Sequence, residues 1–351
     1  MRLVFVTQTL DPEHGSLAQT LDLVGALAPR VEELHVLARE DRWGEAPDNV
    51  TVRTFGAHGK IGRGASFERE LAGALPGTDG VLVHMVPTFA VLAAPQARLR
   101  RVPLLLWYTH WNASRTLRLA TRLADVVLSV DRASFPLATP KVRGIGHAID
   151  VHRFDGSPPV PHEGPLRLLA LGRTARWKGL ATLVEAFRAA EVDATLEVRG
   201  PSLTPDEERH RLELVEASAG DPRISIEPAV RRADVPELLR AADVFVSPAE
   251  PHAGSTLDKA VYEAAACARP VVTTNSALAP FLRDLPLPLL APARDPERLG
   301  LAIDAVVRAD PAQRAAVGAE LRSRVIRDHS LEHWADRVIQ VVSEVPSRRG
   351  R

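Results

Sequence analysis

The 351-residue chain has a single cysteine, Cys267. One thiol excludes an intramolecular disulfide framework and every zinc centre built from several thiolates, and points to a reducing compartment. Net charge is missing too: 44 basic and 44 acidic residues cancel. No global field therefore draws the chain to nucleic acid, and an anionic ligand has to be held by local groups. Lysine is scarce, with only Lys60, Lys141, Lys178 and Lys259 among those 44 basic residues, so the location of each is informative. Nowhere do about 18 uncharged apolar residues run together, and the apolar start Leu3 to Val6 is too brief for a signal sequence. A cytoplasmic protein is expected. No repeat of about 20 to 50 residues is visible, which argues against a solenoid.

What is present is an ample supply of core, 45% hydrophobic against 25% charged residues, on a length that suits two domains better than one. Short β-branched runs alternate with helical-period stretches, the pattern of βα units that build a parallel sheet. The strand candidates of the first half are Leu3 to Thr7, Leu34 to Leu37, Val50 to Phe55, Val81 to His84, Leu104 to Trp107, Val126 to Val130 and Val142 to Ile145. Ser16 to Ala28, Phe67 to Leu75 and Ala113 to Leu123 read as helices between them. The stretch Asp155 to Pro165, DGSPPVPHEGP, can continue neither a helix nor a central strand and reads as a linker. Alternation then resumes with strands at Leu166 to Leu171, Thr195 to Arg199, Ile224 to Ile226, Val244 to Ser247, Val271 to Thr274 and Leu287 to Leu290. Two amphipathic segments, Pro311 to Arg327 and Leu331 to Val345, close the chain. The expected domains are residues 1–157, 163–330 and a last helix, 331–346, returning to the first. Ligands of open α/β sheets bind at the carboxyl ends of the strands, so two such edges facing each other would form a cleft between domains.

Two segments carry chemistry. Strand Leu166 to Leu171 runs into Gly172-Arg173-Thr174-Ala175-Arg176-Trp177-Lys178-Gly179, with a helix beginning near Leu180. A glycine permits the tight turn, and a guanidinium and an ammonium five residues apart can converge on a diphosphate. A solvated basic turn has the same spacing. In the second segment, strand Val244 to Ser247 leads through Pro248-Ala249-Glu250-Pro251-His252-Ala253-Gly254 to a helix starting near Ser255 or Thr256. Backbone N–H groups at that start would attract an anion. Glu263, about two turns in, could accept both hydroxyls of a ribose, or be an ordinary helical glutamate. Its apolar neighbours Val261, Ala264 and Cys267 indicate an enclosed helix, where a carboxylate needs a partner.

Over nearly its whole length this sequence resembles glycosyltransferase family 4, which implies the GT-B fold of two facing Rossmann-like α/β domains. Gly172, Arg173, Lys178 and Gly179 match the family's Gly-Arg and Lys-Gly motif, and the resemblance implies that Arg173 and Lys178 grip the donor diphosphate. Glu263 through Val272 match its Glu-Ala-x-Ala-Cys-x-x-Pro-Val-Val segment, with Ser247-Pro248 in inverted order before it, and Glu263 then takes the ribose-binding role. The family's first acid, eight residues earlier, is here Ser255, and its Glu-Gly-Phe-Gly loop is replaced. Glu250 is the candidate substitute, or a loop carboxylate without a role. His110, read as the carboxyl end of a buried-looking strand that begins at Leu104, stands where the family places a histidine beside donor sugar and acceptor; it could bond a hydroxyl or assist proton transfer. Val142 to Phe154 resembles the family's segment before the interdomain linker. Gly15 survives from a diglycine in the first βα loop, with His14 beside it, and Trp334 reads as packing.

The expected reaction is retaining transfer of a sugar from a nucleotide-diphosphate donor. Its catalytic candidates are His110, Arg173, Lys178 and Glu250; its donor-binding candidates are Gly15, Gly172, Gly254, Ser255, Thr256 and Glu263. No cofactor and no obligatory metal are implied. The acceptor is a saccharide, a lipid-linked or a small molecule that the sequence does not name. The rival reading is a GT-B protein that binds nucleotide sugar without catalysis. Arg98, Arg100, Arg101, Arg115, Arg118 and Arg122 form either a basic face for peripheral membrane contact or a solvated helix surface.

Overall fold

The computed structural model describes all residues except Glu13, Gly15, Ser16, Ala18, Ala57, His58, 159–161, 251–257 and 346–351. The chain divides into two compact units, Met1–Ala148 with Asp328–Arg351, and Ile149–Arg327. The first division falls ahead of the proline-rich stretch 155–165 where composition places it, and the second falls inside a helix.

In the first unit the elements run β1 (Arg2–Leu10), α1 (Thr20–Leu27), β2 (Glu33–Asp41), β3 (Val50–Thr54), α2 (Lys60–Ala74), β4 (Gly80–His84), α3 (Pro87–Leu99), β5 (Leu104–Trp107), α4 (Arg115–Leu123), β6 (Val126–Ser129) and β7 (Val142–Gly144). The seven strands form a parallel sheet in the order β3-β2-β1-β4-β5-β6-β7. Strands β4, β5 and β6 are buried at every residue, as continuous apolar runs must be when helices cover both faces. The order reverses between β1 and β4, so the crevice at their carboxyl ends is the topological switch point. Ser114 starts α4 by accepting the Leu117 N–H at 3.0 Å. That helix turns Leu117, Ala120 and Thr121 inward and leaves Arg115, Arg118, Leu119 and Arg122 exposed.

The second unit runs β8 (Leu166–Leu171), α5 (Leu180–Ala189), β9 (Ala194–Arg199), α6 (Pro205–Ser218), β10 (Ile224–Glu227), α7 (Val235–Ala241), β11 (Val244–Ser247), α8 (Lys259–Ala266), β12 (Val271–Thr273), α9 (Ala279–Leu282), α10 (Pro296–Arg308) and α11 (Pro311–His329). Its parallel sheet has the order β10-β9-β8-β11-β12, with the reversal between β8 and β11. Leu287 to Leu290 is not the expected strand: it makes one isolated bridge, Leu290 to Thr273. Pro286 and Pro288 each remove a donor there, which prevents a continued ladder. The last helix, α12 (Leu331–Glu344), belongs to the first unit, where Trp334 lies 4.7 Å from the Trp107 ring. Among the described residues no helix is long and apolar enough to cross a membrane.

Candidate functional site

Three glycines bring the loops at the carboxyl edge of the second unit's sheet together. Gly179 has φ 68°, and a Cβ there would overlap the Pro248 carbonyl oxygen, so the loops after β8 and β11 touch only because the side chain is missing. A Cβ on Gly200 would overlap the Gly172 carbonyl, which sets the loop after β9 against the same turn. At Gly172, with φ 154°, a Cβ would press on the Lys178 Cε at 3.3 Å. The Glu250 N–H adds a 2.9 Å bond to the Trp177 carbonyl. The switch point between β8 and β11 is thus closed by direct contact between the loops that follow those strands.

Charged side chains fill this edge, each with a partner. Lys178 and Asp258 are both largely buried, and Lys178 Nζ donates to Asp258 Oδ1 at 3.0 Å. Ser247 Oγ donates to the other carboxylate oxygen at 2.6 Å. Asp258 is the N-cap residue of α8, yet its side chain makes no capping bond to that helix. Arg173 pairs with Glu207 of α6, whose second oxygen accepts the Leu203 N–H at 2.7 Å. Glu263 is only 3% exposed. Arg232 donates to both its oxygens, one at 2.9 Å, and Lys259 Nζ lies 3.5 Å away. Burial works to raise the Glu263 pKa, but the two cations outweigh it and hold the carboxyl below its ordinary value. The Arg232 guanidinium also lies 5.2 Å over the Phe154 ring. Glu250 accepts from Arg294 at 2.6 Å, and that bond keeps its carboxyl below the usual range.

The corresponding edge of the first unit is built differently. Thr7, in the second half of β1, and His84, at the end of β4, are buried and joined by a 3.2 Å bond between Oγ1 and Nδ1. Phe5 and Trp107 stack on either side of the imidazole at 5.8 and 5.0 Å. Burial pushes the His84 pKa down to about 3, so the ring is neutral. His110 does not end the strand: β5 stops at Trp107, and His110 lies three residues beyond, in the loop before α4. Its Nδ1 accepts the Asn112 N–H at 3.0 Å, its ring stacks on Trp111, and burial lowers its pKa.

The family model of the glycosyl transferases group 1 matches residues 165–309, the stretch that includes this charged edge. Residues 165–309 are a group 1 glycosyltransferase domain. No curated protein matches the chain by sequence. Solved structures match over almost the whole chain. Sucrose-phosphate synthase of Thermosynechococcus elongatus is 20% identical with a TM-score of 0.74, covering 98% of this chain and 99% of that one. HepE of Anabaena, solved with UDP-glucose, is 17% identical with a TM-score of 0.74, covering 98% and 100%. A glycosyltransferase of Rickettsia africae is 16% identical with a TM-score of 0.75, covering 98% of both chains. The two parallel-sheet units have the GT-B fold.

Within the glycosyltransferase domain, Gly172, Arg173, Lys178, Glu250 and Glu263 all lie on the loops and helix at the carboxyl edge of the sheet. Gly15, Gly254, Ser255 and Thr256 lie outside the described residues, as does the expected helix start; α8 runs from Lys259, which places Glu263 about one turn in rather than two. Sequence reading missed Asp258 as the partner of Lys178, Arg232 as that of Glu263, Glu207 as that of Arg173, and Gly200 beneath Gly172. The acids and Arg232 had no local signal, because their partners are 31 to 80 residues away. Gly200 had one, a glycine directly after a strand. His84 had the same signal as His110, a polar residue at the end of an apolar run.

Proposed function

We propose that this chain is a retaining glycosyltransferase whose donor is a nucleoside-diphosphate sugar, and that the glycosyltransferase domain holds the donor at the β8/β11 switch point. The observation that supports it most is the gathering there of two ion-paired sets, Lys178 with Asp258 and Glu263 with Arg232 and Lys259, at the start of α8 and on the adjoining loops. HepE, similar in fold, holds UDP-glucose, and the same donor class suits this edge. Lys178 exchanges Asp258 for the donor diphosphate. Arg173, 43% exposed despite its pairing with Glu207, adds a second positive charge. Together they neutralise the charge that develops on the departing diphosphate as the sugar carbon–oxygen bond breaks. The new bond to the acceptor oxygen forms on the face the diphosphate leaves, and the acceptor's hydroxyl proton passes to the departing phosphate oxygen as its O–H bond breaks. No metal is required, so a chelator leaves turnover unchanged.

Glu263 receives ribose hydroxyls through lone pairs that Arg232 and Lys259 leave open. Glu250, kept ionised by Arg294, accepts a hydrogen bond from a sugar hydroxyl and is no general acid. In His110, Nδ1 already accepts a backbone N–H, so the proton of the neutral ring sits on Nε2. That nitrogen donates to a hydroxyl rather than removing its proton. The acceptor, a saccharide, a lipid-linked or a small molecule, is assigned to the first unit, and the working compartment to the cytoplasm.

Thermal-shift screening against nucleotide sugars identifies the donor, because a bound ligand raises the unfolding midpoint by mass action. Arg173→Ala and Lys178→Ala each lower transfer by about a hundredfold or more with the fold intact; near-normal turnover in both ends this assignment. An inverted anomeric centre in the product, read by NMR, ends the retaining part alone. Ser255, where the family carries an acid, favours a second reading: a protein that binds sugar nucleotide without turning it over. A donor that binds but gives no product across a broad acceptor panel assigns that role instead.

A further inference from the structure

Residues 80–124 hold six arginines and no acidic residue, in a chain whose charges balance over its full length. Part of that excess lines a cavity of about 470 Å³ in the first unit. Arg118, Thr121 and Arg122 of α4 form one wall, and Thr139 and Lys141, just before β7, form the other, with Leu137 beside them. No carboxylate is among the lining residues. Because α4 ends where β6 is about to begin, and Lys141 directly precedes β7, the cavity lies at the amino ends of the strands. It is therefore on the edge of the sheet opposite the switch point, Thr7 and His84.

Three features suit this cavity to an anion. Among the described residues neither the Arg118 nor the Arg122 side chain has a hydrogen bond or ion pair, unlike Arg173, Arg223, Arg232 and Arg322, which are held by carboxylates or carbonyls. The two are one helical turn apart on the same face, so their planar forks can close on one oxyanion. Thr121 is only 6% exposed, and its Oγ1 has no hydrogen-bond partner; a buried hydroxyl left this way is costly unless something meets it. Lys141 removes the remaining obstacle. Its Nζ donates to the carbonyls of Thr121, Arg122 and Ala124 at 3.1, 2.9 and 2.6 Å. It thereby neutralises the negative end of α4, which would otherwise repel an anion. The acid nearest in effect, Asp125, accepts the Leu104 N–H at 2.9 Å.

We propose that this cavity is a binding site for a phosphate group, clasped by Arg118 and Arg122 with the Thr121 hydroxyl as third partner. The same chemistry fits a free phosphate ester and the headgroup of an anionic lipid. The exposed side chain of Leu119, between the two arginines, is compatible with either. Binding here involves neither donor nor turnover, so the proposal stands or falls separately from the transfer reaction.

The test uses the full chain at low ionic strength, where charge attraction is least screened. Inorganic phosphate and glycerol 3-phosphate are titrated calorimetrically, and co-sedimentation is measured with phosphatidylglycerol–phosphatidylcholine vesicles against pure phosphatidylcholine. Saturable binding of the soluble probes identifies a free phosphate ester as the ligand; binding only to the anionic vesicles identifies a lipid headgroup. In the responding arm the Arg118→Ala/Arg122→Ala variant is expected to lose affinity by about tenfold or more. Thr121→Val, which keeps size and charge, is expected to lose about threefold. Arg100→Ala/Arg101→Ala is the control for diffuse charge and is expected to bind as the parent does. Arg118→Gln alone serves if the double variant unfolds. The proposal is overturned if the parent binds none of the probes, if the Arg118 and Arg122 variants bind as the parent does, or if the Arg100/Arg101 control loses as much as they do.

Discussion

The two sheets reverse strand order in the same way, and their switch points are furnished with opposite chemistry. In the second unit the edge is charged: Lys178, Arg173 and Arg232 each meet a carboxylate, and glycines at 172, 179 and 200 let the loops approach until backbone touches backbone. In the first unit the edge is neutral and aromatic, with His84 held uncharged between Phe5 and Trp107 and bonded to Thr7. Topology supplies a crevice in both cases, and the side chains decide what it can hold. A charged edge with exchangeable partners suits an anion, whereas a neutral edge with oriented hydrogen-bonding groups suits hydroxyls.

The largest effect that would break this contrast is expected at Gly200. Gly200→Ala drives a Cβ into the Gly172 carbonyl and should destabilise the second unit by about 3 kcal/mol or more, read by urea unfolding; a loss under about 1 kcal/mol would mean that the close-packed loops are not essential to the charged edge. Next comes Glu263→Gln, which leaves Arg232 and Lys259 facing a neutral group. It should cost about 2 kcal/mol at neutral pH, less than a fully enclosed pair because Arg232 is part-exposed. The Glu263 carboxyl is held below its ordinary value, so its contribution is present above the ordinary carboxylate range, about 4.3. It is lost as pH falls through the lower folded-state value. The stability gap between parent and variant should therefore narrow in acid, and a constant gap would refute the ion-paired assignment.

His84 sharpens the comparison from the neutral side. Its folded pKa of about 3 lies below the ordinary 6.5, so the unfolded chain binds a proton first. Stability from this group is full above pH about 6.5 and falls on acidification toward pH about 3, by at most roughly 1.4 kcal/mol per pH unit. His84→Phe should remove that component of the slope, and an unchanged slope would show that the buried ring is not neutral. The smallest expected change is Gly25→Ala. A Cβ there meets nothing within 4 Å inside α1, so thermal unfolding should show a gain of about 0.5 to 1 kcal/mol. That glycine is dispensable, while those of the second unit's edge are not.

Much of the fold is legible in the chain itself. The limits of β5, β8 and β11 coincide with those read from the sequence; β5 and β11 are buried throughout and read as short, mainly apolar runs, whereas β8 keeps its limits although Arg167 interrupts its apolar run. α2 begins seven residues before the apolar pattern at Phe67, since its first two turns, Lys60 to Ser66, are glycine-rich and face solvent. Leu287 to Leu290 misleads in the other direction, having the composition of a strand but Pro288 within it and Pro286 just before it, which deny it a ladder.

The sequence alone determined two parallel α/β sheets, the basic turn Gly172 to Gly179 and the helix that encloses Glu263, because each is written in contiguous residues whose period or backbone freedom acts locally. Tertiary structure alone decided that Lys178 meets Asp258, that Glu263 is spanned by Arg232, that Gly200 lies under Gly172, and that Thr121 is left without a partner beside two unpaired arginines. Those pairings depend on which strands become neighbours, and strand order is set by burying both faces of a whole sheet, a property that no short stretch of sequence carries.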